Sequence, residues 1–178
     1  MSQRRTLLRM SDASSSLGAQ AGERELLTGA LDWYRAVVER KVADLSLEDA
    51  SRVTTPSGLS PLGVVKHLAY VERSWFRVRF AAEEDKVHWP DDEVDPDWDF
   101  RIETSDTVAS VLELYREAVR SSRRIADRGS LDDVTASESP HYGYVSLRWI
   151  LVHMLEETAR HAGHLDLMRE QIDGRVGD

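Results

Sequence analysis

The chain has 178 residues, with 23 Lys and Arg against 32 Asp and Glu, a net charge of −9, and no cysteine. That length suits one domain with its own hydrophobic core, and the missing cysteine excludes a disulfide scaffold, a thiolate zinc site, an iron–sulfur cluster and a cysteine nucleophile. The acidic balance argues against nucleic-acid binding, which needs clustered Lys and Arg, and no apolar run approaches the ~20 residues of a membrane-spanning helix, so the cytoplasm is the expected location.

Residues 1–20 carry Arg4, Arg5 and Arg9 followed by Ser14, Ser15 and Ser16, without an apolar stretch or a small-residue cleavage site. They read as a flexible extension rather than a signal peptide, with Met10 as a second possible start. From residue 21 to 178 the pattern is that of a single all-α domain. A first helix is predicted from about Ala21 to Leu45, striped by Leu27, Leu31, Tyr34, Val38, Val42 and Leu45 at spacings of three and four. The stretch Thr54-Thr55-Pro56-Ser57-Gly58 is a loop by composition. Ser60 before Pro61 then reads as a cap with proline at the first helical position.

The second helix is predicted from Pro61 to about Ala82, with Val64, Leu68, Val71 and Trp75 on one face. A long acidic loop follows, from about Glu83 to Ser105, whose Trp89 and Trp98 suggest that it folds back on the bundle. Its acids, from Glu83 to Asp99, are expected to be solvated, with a second cation site as the alternative. Asp106 is the expected cap of the third helix, about Thr107 to Asp127, which Gly129 ends. A loop with Pro140 and Gly143 leads to the last helix, about Ser146 to Ile172, stopped by Gly174. No strand alternation appears. The fold expected is an antiparallel-type four-helix bundle with a long loop between helices two and three.

The last helix carries the chemistry. Its inward seam runs Ile150, Met154, Glu157, His161, Leu165, Met168, Ile172, so a carboxylate and an imidazole occupy consecutive apolar positions. Burying an ionised carboxylate alone costs several kcal/mol, so Glu157 needs a cation or a proton. Residues four apart project from one helix face about 6 Å apart at Cβ, close enough to converge on one ion. His67, flanked by Val64 and Val71, faces inward from the second helix and is the candidate third donor. Two nitrogens and one oxygen would leave a coordination position open, as catalytic sites do. Against this stands the ordinary reading of His67 as a hydrogen-bonded core histidine and of Glu157 with His161 as a helix-surface pair.

His153 and His164 flank that pair and are candidates for a fourth ligand or for outer donors. His88 and His141 lie in loops and are expected in solvent. Glu72 is expected to pair with Arg73, Arg79 or another helix, and Arg148 to form a structural ion pair. Trp33, Trp75 and Trp149 are expected in the core. No dinucleotide fingerprint, Walker loop or nucleophile elbow is present.

The segments SGLSPLGVVKHLAYVERSWF and SLRWILVHMLEETARHAGHLDLMREQIDG resemble the DinB-like metal-binding four-helix family, and within it the branch of mycothiol transferases. The likeness runs over nearly the whole chain from about Ala21. Family members commonly carry a His on the second helix and a His-x-x-x-His pair on the last. Here Glu157 stands first in that pair, which is similar to the mycothiol-dependent maleylpyruvate isomerase, whose zinc site has two His and one Glu. The resemblance implies His67, Glu157 and His161 as ligands of a divalent metal, with zinc the expected ion. It also implies a long crossover between the second and third helices, and frequent homodimers. The activity it implies is an S-transferase in which the metal activates a low-molecular-weight thiol, mycothiol, for attack on a small electrophile. The alternatives are a metal-dependent hydrolase using bound water, or a non-catalytic stress or interaction protein with a structural metal.

Overall fold

The computed structural model describes residues 21–85, 95 and 97–177. The N-terminal extension, His88 and Trp89 lie outside the described residues. Helix α1 spans Glu23–Val42, with Glu23 and Glu25 in its first turn and Arg40 and Lys41 in its last, the charge order that suits the helix dipole. A single turn, α2 (Leu47–Ala50), capped by Ser46, is an element the periodicity did not signal. Helix α3 (Pro61–Glu72) opens as expected, Ser60 Oγ accepting from the Gly63 amide with Pro61 behind it. It then widens into a π-helical segment, Arg73–Phe80, which departs from the uniform helix expected to Ala82. The wider coil brings the adjacent Trp75 and Phe76 into the core together.

Helix α4 spans Val108–Arg128. Its cap is Thr107, in a reciprocal pair with Ser110, and not Asp106. Asp106 is taken by other donors: its Oδ2 accepts from the Glu103 amide and from Lys66 Nζ, each at 2.8 Å. Helix α5 spans Leu147–Asp173, capped by Ser146 and closed by Gly174 at φ 76°. Of the residues expected to line the stripes, Leu31, Val38 and Val42 on α1, Val64 and Leu68 on α3, and Ile150, Met154, Leu165 and Met168 on α5 are buried, whereas Leu27, Tyr34, Val71 and Ile172 are only partly so and Leu45 lies beyond the end of α1. Each of the buried side chains contributes about 1.5–3 kcal/mol by leaving water.

Side-chain ties give the helix directions. Arg148 at the start of α5 meets Glu23 at the start of α1, and Arg169 near its end meets the carbonyl of Lys41 and Asp44 at the end of α1. The two therefore run parallel. Arg123 pairs with Asp32, and Arg116 with Glu39, so α4 runs against α1. Trp75 packs on Trp149, and His67 meets Glu157, so α3 runs against α5 and parallel to α4. The antiparallel relation expected between neighbours holds between the pairs α1/α5 and α3/α4 but not within them. Two parallel consecutive helices cannot be joined by a tight turn, which is why the segment between α3 and α4 is long.

That segment returns along α3. A 3-10 turn, Trp98–Phe100, packs on the helix, with the Trp98 ring 4.6 Å from Tyr70. The expectation that the tryptophans draw the loop onto the bundle holds for Trp98. Between the two halves of the core sits a buried ion pair: Arg35 donates from Nε and Nη2 to the two oxygens of Glu72, each at 2.7 Å. Glu72 is 1% exposed. Its partner is thus on α1, and neither Arg73 nor Arg79 takes that place. Arg73 is held by Asp85 instead.

Candidate metal centre

The inward seam of α5 is where the spacing put it. Met154 and Leu165 are fully buried, His161 nearly so, and Glu157 between them retains 13% side-chain exposure. From α3, His67 reaches the same point, also 13% exposed. His67 Nε2 lies 3.2 Å from Glu157 Oε1, and His161 Nε2 lies 3.1 Å from the same oxygen. One donor atom from each of the three lies within 4.8 Å of the others. Donors held about 2.1 Å from a tetrahedral ion stand about 3.4 Å apart, so a small adjustment of this group would admit one. Two imidazole nitrogens and a carboxylate oxygen suit a borderline divalent cation such as zinc.

Each of the three has a second contact that restrains it. Glu157 Oε2 accepts from Arg160 Nη2, leaving Oε1 to the histidines. His161 Nδ1 faces His164 Nδ1 at 3.4 Å. His67 Nδ1 donates to Asp99 Oδ2 at 2.7 Å, and the ring stacks on Phe100 with centroids 4.0 Å apart and planes 12° from parallel. His164 thus touches the group through His161 alone among the three donors. His153 instead turns to an aromatic cluster: it stacks on Trp149 at 4.8 Å and meets Trp75 edge-on at 5.0 Å. His141 is exposed, as expected. Arg148 forms ion pairs with Glu23 and Asp132. Trp75 is buried, whereas Trp33 and Trp149 are only partly so.

The electrostatics follow from these contacts. Burial works against charge on Glu157, but hydrogen bonds from His161 and His67, with Arg160 alongside, outweigh it and hold the carboxyl well below the usual carboxylate range. Burial would lower His67, yet Asp99 and Glu157 on its two nitrogens raise it above the ordinary imidazole value. His161 is lowered, chiefly by burial, with Glu157 opposing.

Asp99, Phe100 and Arg160 were not singled out from the sequence. Arg160 was within reach of a spacing argument, being three residues after Glu157. Asp99 was one acid among many in a loop without periodicity. The aromatic residues on both sides of it, Trp98 and Phe100, were the available sign that this part of the loop is anchored.

The family described as Mycothiol-S-transferase matches residues 26–174 of the chain. Among solved structures, one described as the crystal structure of a conserved protein of locus from Enterococcus faecalis is similar, with a TM-score of 0.58 and 14% identity, covering 85% of this chain and 97% of that one. At that identity the likeness concerns the fold. None of the curated proteins compared with the chain matches it.

Proposed function

The chain belongs to the mycothiol-S-transferase family, and from that membership we propose that it joins the sulfur of mycothiol to a small electrophile at a divalent-metal centre, with zinc as the ion. The observation that carries this reading is the meeting of His67, Glu157 and His161 between α3 and α5. His67 and His161 would hold the ion through Nε2 and Glu157 through Oε1. A divalent cation in that position would lower the pKa of the thiol, so that its sulfur is anionic at neutral pH. Glu157 is the one anionic donor, which leaves net positive charge at the centre and favours an anionic sulfur over a neutral one. The chain has no cysteine, so the nucleophilic sulfur has to come from a cosubstrate.

In the transfer, the S–H proton leaves and the sulfur lone pair forms a C–S bond with the electrophilic carbon. A displaced group departs with its bonding pair or, on an unsaturated carbon, the neighbouring atom takes up a proton. The protein's part is to hold the donors. Arg160 occupies the second oxygen of Glu157, and Phe100 covers one face of His67. Buried Met154 and Leu165 flank the donors on α5 and exclude water from that side.

The test is metal content of the purified protein together with thiol conjugation, using mycothiol and monochlorobimane. The expected result is one ion per chain and metal-dependent conjugate formation, both abolished in Glu157→Gln. Turnover of the electrophile without thiol would favour hydrolysis and overturn the reading. So would a folded protein that binds no ion.

A further inference from the structure

The crossover segment is strapped to one face of α3 by four residues at helical spacing, Gly63, Lys66, His67 and Tyr70. A Cβ at Gly63 would lie 2.4 Å from the carbonyl oxygen of Phe100, so only glycine lets the two backbones approach this closely. One turn on, Lys66 Nζ donates to the Arg101 carbonyl and to Asp106, each at 2.8 Å. Tyr70 meets the Trp98 ring. These contacts set the 3-10 turn in a fixed register over His67. Asp99 consequently arrives at His67 Nδ1, at 2.7 Å, with its side chain only 17% exposed.

We propose that Asp99 is a positioning residue for the metal centre: it accepts the Nδ1–H of His67 and so directs Nε2 at Glu157 and His161. This rests on the metal-centre reading given above. An imidazole on a helix can flip about its terminal torsion and can carry its proton on either nitrogen. A carboxylate on Nδ1 selects one ring orientation and one tautomer, and makes Nε2 a better donor to a cation. The stacked Phe100 ring restricts the same torsion from the face. The outer nitrogen of His161 faces His164 instead. The charge-assisted anchor is thus given to His67, the donor that has to come from a different helix.

The alternative role for Asp99 is to fasten the loop and nothing more. Asp99→Ala removes the acceptor, whereas Asp99→Asn keeps a carbonyl oxygen that can take the same hydrogen bond. Metal-free full-length protein is titrated with zinc, by competition with a chelator, and with cobalt(II), whose visible absorption reports ligand geometry. Asp99→Ala is expected to weaken both ions about 10- to 100-fold and to change the cobalt spectrum, with Asp99→Asn recovering most of the affinity. Unchanged affinity and spectrum in Asp99→Ala would overturn the proposal. Equal losses in both variants, accompanied by a matching drop in the melting temperature of the metal-free protein, would overturn it too, because loop fastening alone produces that pattern. If the wild-type chain binds neither ion, the metal centre itself is refuted and this role with it; wild-type binding that Asp99→Ala leaves intact refutes only the role.

Discussion

Glu72 and Glu157 lie on helix faces among apolar neighbours, and they are neutralised in different ways. Glu72 is held by Nε and Nη2 of Arg35, whose Nη1 is taken by Asp32. Glu157 is shared among two histidines and an arginine, an arrangement that a cation can replace. The consequences of substitution differ accordingly. Glu72→Gln removes the buried charge that faces Arg35 and leaves it only the half-exposed Asp32, and should cost about 3–5 kcal/mol of unfolding free energy, measured by urea denaturation. Replacing both, as Arg35→Met with Glu72→Leu, should recover much of that loss, since a packed apolar pair needs no compensation. Glu157→Gln keeps the shape and removes the charge. Its metal affinity should fall by more than the about 10- to 100-fold typical of losing an outer partner, as read by isothermal titration. At this scale the sequence was informative about Glu157, because a carboxylate on an apolar seam is a local anomaly. It was silent on the partner of Glu72, because nothing local marks which distant cation will face it.

The elements obey their local signals where the signal is a cap or a stripe. Ser60 and Gly174 sit where their chemistry predicts. Gly129 is at its predicted place for a different reason. It ends α4 at φ −85°, a conformation open to any residue, and a Cβ there would lie 2.9 Å from the Phe80 ring and 3.1 Å from Leu147. Gly174, at φ 76° with open space around it, is needed for its backbone alone. Gly129→Ala should therefore cost about 1–3 kcal/mol through forced repacking, and Gly174→Ala roughly 1 kcal/mol through backbone strain. Thermal denaturation of the two variants should rank them in that order, and the reverse order would show that the contacts around Gly129 relax more cheaply than the left-handed backbone at Gly174. The π-helical segment, the turn α2 and the substitution of Thr107 for Asp106 as a cap had no such legible sign. Each depends on what packs alongside, and Asp106 serves Lys66 because the crossover brings the two together.

Across the whole molecule, the donors belong to helices that run in opposite directions, so an ion held between them ties α3 to α5. An ion bound at a free concentration of 100 times its Kd adds about 2.7 kcal/mol of stability. For a chain of this length that corresponds to roughly 5–11 °C in melting temperature. Chelation of the metal-loaded protein should lower the Tm by that amount, and the shift should vanish in His67→Ala. Among the described residues no helix is long and apolar enough to cross a membrane. The sequence by itself marked the four long helices, the caps Ser60 and Gly174 and the inward facing of His67, Glu157 and His161, because periodicity and capping are set by neighbours within one or two turns. Tertiary structure alone decided that α1 lies parallel to α5, that Arg35 closes on Glu72, and that Asp99 reaches His67. Those contacts join residues 32 or 37 positions apart in the two side-chain pairs, and their stability comes from burial shared between elements, which no local pattern records.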